Sequence, residues 1–430
     1  MVRFTAWLRL ANVPRALASR LRVAVHRFRF GLELRWVPFS RKFSRKLYLF
    51  NLDCHVSVIA DLRAGLGRAT GVRLVSWSIS GHNGVFRSYF QDPDPVEILG
   101  SGTWQNISPS KIELFKRRYE RFLRAFDGFV VTYPIPFVEL FLEFEKPILA
   151  VGAIRYEHPY SQKQHDWERL DENLKPMVRR EPGLLVANNQ GDADYMEHFL
   201  GVHIPVVPSV CDYIQLPPPR TVPTLRVFQA KSVELERYLG DQLGPAWQPK
   251  RQALGKRFRF EALGQVEALL YIPYNSSTMT LFELATLGIP VFMPSRRLLA
   301  ELSDSFEGVM SELTFLPADA RPSRRDATGF PGSDPSSPDF VDWWLDRADF
   351  YNAALMPNVL VFDSFADPRL HGDLQQLTDD IRLLTHQRNI EVRARRSDLL
   401  EHFVERVRAG RSKDSRPRGG FSKSQSGLRG

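Results

Sequence analysis

Residues 267 to 296 contain the side chains of this sequence that are best suited to chemistry. Between the two ends of that stretch the one charged side chain is Glu283, which stands among apolar and hydroxyl-bearing residues. A carboxylate in such surroundings is costly unless hydrogen-bond donors meet it. We therefore expect a ligand or a partner side chain to bind Glu283.

The pattern around Glu283 predicts a strand, a polar turn, a helix and a second strand. The apolar runs and the helical spacing place these elements at 268–272, 275–278, 278–287 and 290–293. Gly288 is suited to end the helix in a left-handed conformation. The turn consists of Asn275, Ser276, Ser277 and Thr278. Its hydroxyls and the amide groups at the helix start form a site suited to phosphate.

This succession, with Gly-Ile-Pro-Val after the helix, resembles the nucleotide-sugar-binding segment of GT-B-fold glycosyltransferases. The resemblance implies that Glu283 binds the ribose hydroxyls of the donor and that residues 275–278 hold its diphosphate. Many retaining members of that family carry a second Glu eight positions before the ribose Glu. Asn275 stands at that position here, so the motif does not favour a retaining reaction.

Glu283 also has a purely structural interpretation. Thr280 and Glu283 have the spacing of a capping box, in which the Glu side chain would close on the backbone of Thr280 and serve the helix alone. The sequence pattern fits both the donor-binding and the capping interpretation of Glu283.

The composition is that of a globular chain with more than one domain. The 430 residues are 43% hydrophobic and 25% charged, and no apolar run approaches the ~20 residues of a membrane-spanning helix. The two cysteines, Cys54 and Cys211, are too few for a disulfide framework, which favours a reducing compartment.

The net charge of +9 belongs to the two ends of the chain. Residues 1–46 hold twelve Lys or Arg and one acid, and residues 409–430 hold six and one, which leaves a net charge of −7 on the rest. A basic groove through the folded body is therefore not expected, and nucleic acid is not a predicted partner.

The first 30 residues contain seven Arg and no acid. After Pro14, apolar residues recur at helical spacing from Leu17 to Phe28. Three interpretations stay open: a helix lying on an anionic membrane surface, an organelle transit peptide, or a solvated extension.

Strands alternating with helices predict two parallel sheets, each covered on both faces. We expect two Rossmann-like domains that face a cleft, the GT-B-like arrangement, with the Pro-rich run 215–223 between them. The predicted segments are a basic amphipathic extension (1–46), an N-terminal acceptor domain (47–214), the linker (215–223), a C-terminal donor domain (224–365), C-terminal helices (366–408) and a disordered basic tail (409–430). The resemblance implies that the C-terminal helices pack back on the first domain.

The N-terminal domain should supply the acceptor site. Ligands of open parallel sheets lie beyond the carboxyl ends of the strands, which is where the pattern places Asp53 and His55. The resemblance to inverting GT-B transferases implies His55 as the catalytic base, with Asp53 orienting it or acting as base itself. Alternatively, Asp53 caps a helix and His55 fills its first turn. Further candidates for the acceptor cleft are His82, Asn83, Arg155 and Glu157.

The resemblance also gives Lys231, in the turn after the first strand of the donor domain, a role at the diphosphate; a solvated surface lysine is the alternative. No His or carboxylate cluster has a metal-ligand spacing, so we expect no metal and no cofactor besides the nucleotide-sugar substrate.

We therefore predict a hexosyl-type glycosyltransferase that acts on a glycan or lipid-linked acceptor. We expect it in the cytoplasm, at a membrane surface through residues 1–46, or in an organelle if residues 1–30 are a targeting segment. A nucleotide-sugar epimerase of the same fold and a non-catalytic scaffold remain the alternatives.

Overall fold

The computed structural model describes residues 28, 31–68, 71–79, 98–100, 103–160, 164–179, 184–214, 223–255, 258, 260–311, 329–334 and 337–414. They form an α/β protein with two parallel sheets of five strands each, flanked by helices. The α/β class predicted from the alternation of strands and helices is confirmed.

The first sheet has the strand order β2-β1-β3-β4-β5, and all of its pairs are parallel. Its strands are β1 Leu47–Asp53, β2 Val72–Ser78, β3 Gly128–Val131, β4 Ile148–Gly152 and β5 Leu184–Ala187. Its helices are α1 (31–42), α2 Val56–Leu66, α3 Pro109–Leu123, α4 Gln164–Arg179 and α5 Gln190–Leu200. Every residue of β1, β3 and β4 is buried, as expected for strands covered on both faces.

Three details of this half differ from the sequence pattern. The apolar segment 204–207 has the composition of a strand but makes one bridge to β5, at Val206; Pro205 within it and Pro208 after it lack the N–H groups that a ladder needs. Residues 137–144 have the apolar pattern of a single helix but belong to two short 3-10 helices, Ile135–Leu140 and Leu142–Phe144. Helix α4 was not predicted.

The second sheet has the order β10-β9-β8-β6-β7, again all parallel. Its strands are β6 Leu225–Gln229, β7 Trp247–Pro249, β8 Val266–Tyr271, β9 Val291–Pro294 and β10 Val359–Phe362. Its helices are α6 Val233–Leu243, α7 Lys250–Leu254, α8 Met279–Leu287, α9 Arg296–Ser305, α10 Phe340–Asp346 and α11 Pro368–His371. The predicted glycine cap of α8 is confirmed, since Gly288 has φ 64° and lies in the left-handed region.

One helix of 40 residues, α12 Gln375–Asp414, replaces the two predicted C-terminal helices. The segment holds no Pro, and its one Gly is Gly410, so nothing in it breaks the helix. The helix packs on α8 and continues to α2, where Arg396 pairs with the buried Asp61 at 2.5 Å. A Cβ on Gly65 of α2 would come within 2.6 Å of Leu400, so glycine permits this close approach. Residues 409–414, predicted as disordered tail, belong to this helix.

Ordered structure also begins earlier than the predicted boundary at residue 47. Helix α1 packs on the first domain through Val37, which is 1% exposed, and Arg41 pairs with Asp127 at 2.5 Å. Periodicity within residues 1–30 gave no sign of this contact, because the partner Asp127 lies 86 residues further along the chain.

Four predicted features lie outside the described residues: most of the N-terminal segment, the loop with His82 and Asn83, the connector up to residue 222, and the tail after residue 414. Across the described parts of the chain, no helix combines the length and apolar character needed to cross a bilayer.

Candidate functional site

A cleft separates the carboxyl edges of the two sheets. The first half lines it with Ala153, Ile154 and Arg155, which follow β4, and with Asp192 of α5. The second half contributes residues 275–277, which follow β8, and Trp344 of α10. The predicted phosphate turn therefore faces the segment after β4, which is where ligands of parallel sheets bind.

The turn before α8 presents polar groups to this cleft. Thr278 is the N-cap of α8 without a side-chain bond to the helix, and its hydroxyl lies 3.2 Å from the hydroxyl of Tyr271. The Asn275 side chain accepts from the Ser276 amide at 2.7 Å. Ser277 stays half-exposed, so its hydroxyl and the amides at the start of α8 can meet an anion.

The start of α8 rests directly on the first domain. The sulfur of Met279 lies 3.8 Å from the Asn188 side-chain nitrogen and 3.7 Å from the Ser209 hydroxyl. Asn188 directly follows β5, and Ser209 follows the segment that bridges to β5 at Val206, so the carboxyl edge of the first sheet and the start of α8 are in contact.

Lys231 lies beside the turn. Its side-chain nitrogen is 3.7 Å from the centroid of the Tyr274 ring, the residue just before Asn275, and the lysine is exposed. A cation over an aromatic face is favourable and is held in place by it. The predicted diphosphate partner is thus within the same group of residues as the turn.

Glu283 lies one turn along α8, in a polar side-chain cluster whose other members, Tyr213 and Lys250, were not predicted. Its carboxylate accepts from the Tyr213 hydroxyl at 2.5 Å. Burial raises the pKa of Glu283 to about 7, and the Tyr213 hydrogen bond and the charge of Lys250 offset part of that shift. The capping-box alternative is wrong, because the N-cap of α8 is Thr278 and not Thr280.

Lys250, at the start of α7, completes this cluster. Its ammonium donates to the Gln229 side chain at 2.8 Å, and burial lowers its pKa. The ring of Phe260 packs on that of Tyr213, with centroids 5.7 Å apart. An acid, a phenol and an amine next to aromatic rings can hold a ribose and a flat base.

On the side of the cleft formed by the first sheet, Asp53 and His55 lie at the end of β1. Asp53 is 0% exposed, its carboxylate accepts from the Ser78 hydroxyl at 3.0 Å, and burial raises its pKa to about 7. His55 is exposed and is itself the N-cap of α2, so the predicted capping role of Asp53 is wrong. The backbone N–H of His55 donates to the Asp53 carboxylate, which fixes the histidine beside it.

Aromatic residues that the sequence did not single out surround His55. Its ring lies edge-on to Tyr133 at 6.3 Å, Tyr133 stacks on His158 at 6.0 Å, and Trp104 packs against both. The Tyr133 hydroxyl lies 3.0 Å from His158 Nδ1, and burial lowers the pKa of His158 to about 4. Tyr133 and His158 follow β3 and β4, so their positions after strand ends mark them as site candidates in the same way as that of His55.

Arg155 and Glu157 form a buried pair on the same edge. They are 4% and 0% exposed, with an N–O distance of 3.1 Å, and the Tyr195 hydroxyl donates to Glu157 at 2.6 Å. Glu157 therefore holds Arg155 and Tyr195, while Arg155 reaches the cleft opposite Asn275.

Asp192, which the sequence did not single out either, lies in the same cleft. Burial raises its pKa to about 7, partly offset by a hydrogen bond from Asn189. His82 and Asn83 lie outside the described residues. Within the described ranges, no group of three or more His, Cys, Asp or Glu is placed to hold a metal ion.

The two parallel sheets with a cleft between their carboxyl edges give the chain a GT-B-like fold. No protein-family model matches the chain, and no curated protein matches its sequence.

Solved structures with a loose overall likeness include a glycotransferase of kitacinnamycin, with 10% identity, TM-score 0.35, and coverage of 86% of this chain and 99% of that chain. The spinosyn forosaminyltransferase SpnP has 13% identity, TM-score 0.34, and coverage of 85% and 99%. A UDP-N-acetylglucosamine 2-epimerase has 11% identity, TM-score 0.37, and coverage of 58% and 80%. Likeness at this level bears on neither substrate nor reaction.

Proposed function

We propose that this protein transfers a hexosyl-type sugar from a nucleotide-sugar donor to a glycan or lipid-linked acceptor. The observation that supports the proposal best is the placement of Glu283. It is a half-buried acid whose hydrogen-bond partner Tyr213 lies 70 residues away, and the turn 275–278 directly precedes its helix. A carboxylate beside a phosphate-binding turn suits a nucleoside diphosphate, since one group can accept from ribose hydroxyls while the other receives the phosphates.

In this proposal the donor diphosphate lies at the start of α8. The amides of that helix, the Ser277 hydroxyl and the ammonium of Lys231 neutralise the negative charge that grows on the diphosphate as the sugar leaves. Glu283, in its ionised form, accepts from the ribose hydroxyls and fixes the donor in the cleft.

His55 then acts as the general base on the acceptor hydroxyl. It is the exposed titratable group at the end of β1, and imidazole is the side chain most often used to remove a proton near neutrality. Asp53 is buried behind it and positions the turn through its bond to the His55 amide. A base on the face opposite the donor favours inversion of the sugar configuration, in keeping with Asn275 in place of a second Glu.

The free thiols of Cys54 and Cys211 favour the cytoplasm, and the basic N-terminal residues favour a place at an anionic membrane. We expect no resident metal or other cofactor and no nucleic acid partner.

The test is a thermal-shift screen of UDP-, GDP-, dTDP- and CDP-sugars and their nucleoside diphosphates, because a ligand stabilises the native state by mass action. The proposal requires at least one to raise the melting temperature in a saturable manner, and Lys231→Ala to weaken a diphosphate more than the matching monophosphate.

Incubation of that donor with candidate acceptors, followed by product analysis, separates transfer from epimerisation, which converts the donor without an acceptor. A folded protein that binds none of these nucleotides would contradict the proposal.

A further inference from the structure

Helix α1 carries an apolar stripe on its outer face. Leu32, Trp36 and Phe39 of the helix and Phe43 in the turn after it recur at helical spacing and are 50%, 50%, 54% and 77% exposed. The three rings form one surface, with centroids 5.7 Å apart for Trp36 and Phe39 and 5.2 Å apart for Phe39 and Phe43. The opposite face of α1 is packed on the domain through Val37. The helix therefore has two apolar sides, of which the described residues cover one.

A strongly basic basin adjoins this aromatic stripe. The basin lies between α1, the end of α3 and the end of α12, and its lining includes eight basic residues and one acid. The basic residues are Arg35, Arg41, Lys42, Arg118, Arg121, Arg124, Lys146 and Arg411. The acid, Asp127, is already bound by Arg41 and by the Tyr48 amide, and Arg124 pairs with Glu120. Among the described residues, Arg35, Lys42 and Arg121 make no ion pair.

Both ends of the described chain meet at this face. Arg411 near the end of α12 donates to the backbone carbonyls of Ser44, Arg45 and Lys46, which follow α1. The sequence beyond these points adds six Arg and no acid in residues 1–27, and four Lys or Arg and no acid in residues 415–430. The described residues next to the two basic terminal segments, Ser44 and Arg411, are thus in contact although almost the whole sequence separates them.

We propose that the aromatic stripe and the basic basin together dock on the surface of an anionic lipid bilayer. Aromatic side chains are favoured at the membrane interface, and each basic residue near an anionic surface adds to the attraction. The positive charge of the basin argues against two other occupants of this surface, a second copy of the chain and the chain's own terminal segments. A second copy would bring the same positive basin, and the chain's own terminal segments carry the same sign.

The docking surface lies at the edge where the strands of the first sheet begin. Asp127 directly precedes β3, and residues 44–46 directly precede β1. The cleft lies at the other edge, and the seven residues of β1 span roughly 20 Å. Docking therefore leaves the cleft away from the lipid, and an acceptor carried by a lipid must extend by about that distance to reach it.

The apolar part of this proposal is tested by co-sedimentation of the full chain with vesicles, without any nucleotide. Vesicles of phosphatidylcholine with 30% phosphatidylserine should bind the protein, and pure phosphatidylcholine vesicles should bind it far less. Trp36→Ala/Phe39→Ala/Phe43→Ala should weaken the partition roughly tenfold or more. The control replaces three equally exposed apolar residues of α12 by Ala and should bind like the wild type. They are Leu383, Leu384 and Ile390.

The charged part is tested by Arg35→Glu/Lys42→Glu/Arg121→Glu, which should weaken partition to anionic vesicles about 100-fold at 0.1 M salt. The matched control reverses three exposed Arg elsewhere and should have a several-fold effect at most. They are Arg237, Arg251 and Arg395. Circular dichroism and thermal unfolding of each variant establish that it is folded.

Several outcomes would overturn the proposal. Vesicle binding that neither triple variant weakens would assign the binding to other residues, and equal binding to neutral vesicles would exclude the basic basin. An oligomer that dissociates in the aromatic variant would identify a second copy as the occupant. Tight binding of a DNA or RNA duplex at 0.15 M salt, with no vesicle binding, would identify nucleic acid. None of these readouts depends on the cleft, so the proposed sugar transfer can fail while membrane docking holds.

Discussion

Replacing Glu283 by Gln should remove nucleotide binding and, at alkaline pH, stabilise the protein. A side chain with a purely structural role would leave nucleotide affinity unchanged, so the binding measurement is the one that separates the two roles. Gln keeps the shape of the side chain and an oxygen that can accept from Tyr213. It loses the negative charge that makes hydrogen bonds to the ribose strong. Bonds to a charged acceptor contribute about 1.5–3 kcal/mol each, so the loss of two should weaken a nucleoside diphosphate about 100-fold or more.

The stability effect follows from the raised pKa of Glu283. Burial moves this pKa from 4.5 to about 7, so the native state holds the proton more tightly than the unfolded state. The stabilisation from the bound proton is fully present below pH 4.5 and is lost as the pH rises through 7. Above pH 7 the ionised carboxylate costs roughly 3 kcal/mol at most. Glu283→Gln should recover part of this free energy of unfolding at pH 8 and little of it at pH 5.

Titration calorimetry at pH 8 measures the first effect, and urea unfolding at pH 5 and pH 8 measures the second. Glu267→Gln is the matched control, because Glu267 pairs with Arg226 at 2.7 Å near the start of β8, away from the cleft. It should lower stability and leave nucleotide affinity unchanged. If Glu283→Gln binds the nucleotide like the wild type, Glu283 does not contact the donor.

Three further results are expected. Nucleotide affinity should fall as the pH drops through about 7, and Tyr213→Phe should move the midpoint of that fall upward, since the Tyr213 hydroxyl lowers the pKa of Glu283. Calorimetry across pH 6–9 measures this midpoint, and an unmoved midpoint would contradict the role of Glu283 in nucleotide binding. His55→Ala should reduce kcat roughly 100- to 10,000-fold while nucleotide affinity stays within twofold. Initial-rate and binding assays measure the two effects, and an unchanged kcat would exclude His55 as the base. Arg396→Met should lower the free energy of unfolding by about 3–5 kcal/mol in urea, because it leaves the Asp61 carboxylate buried without its cation. A loss of under about 1 kcal/mol would contradict this explanation.

The sequence by itself determined the elements whose cause is local. Apolar runs with β-branched residues place the buried strands, and the polar turn and Gly288 set the two ends of α8 to within a residue. Local spacing also placed Asp53 and His55 at the end of β1, because a strand and the turn after it are neighbours in the chain. The division of charge between the termini and the body was equally visible.

The tertiary structure alone decided which of these groups meet. Tyr213 and Lys250 reach Glu283 from other elements, Arg155 faces the turn across the cleft, and α12 joins both halves. Burial, distance and pKa depend on which strand ends lie side by side, and a one-dimensional pattern does not contain that order. The meeting of α12 with the residues after α1 has the same cause, because Arg411 and Ser44 are 367 residues apart in the chain and in contact only in the fold.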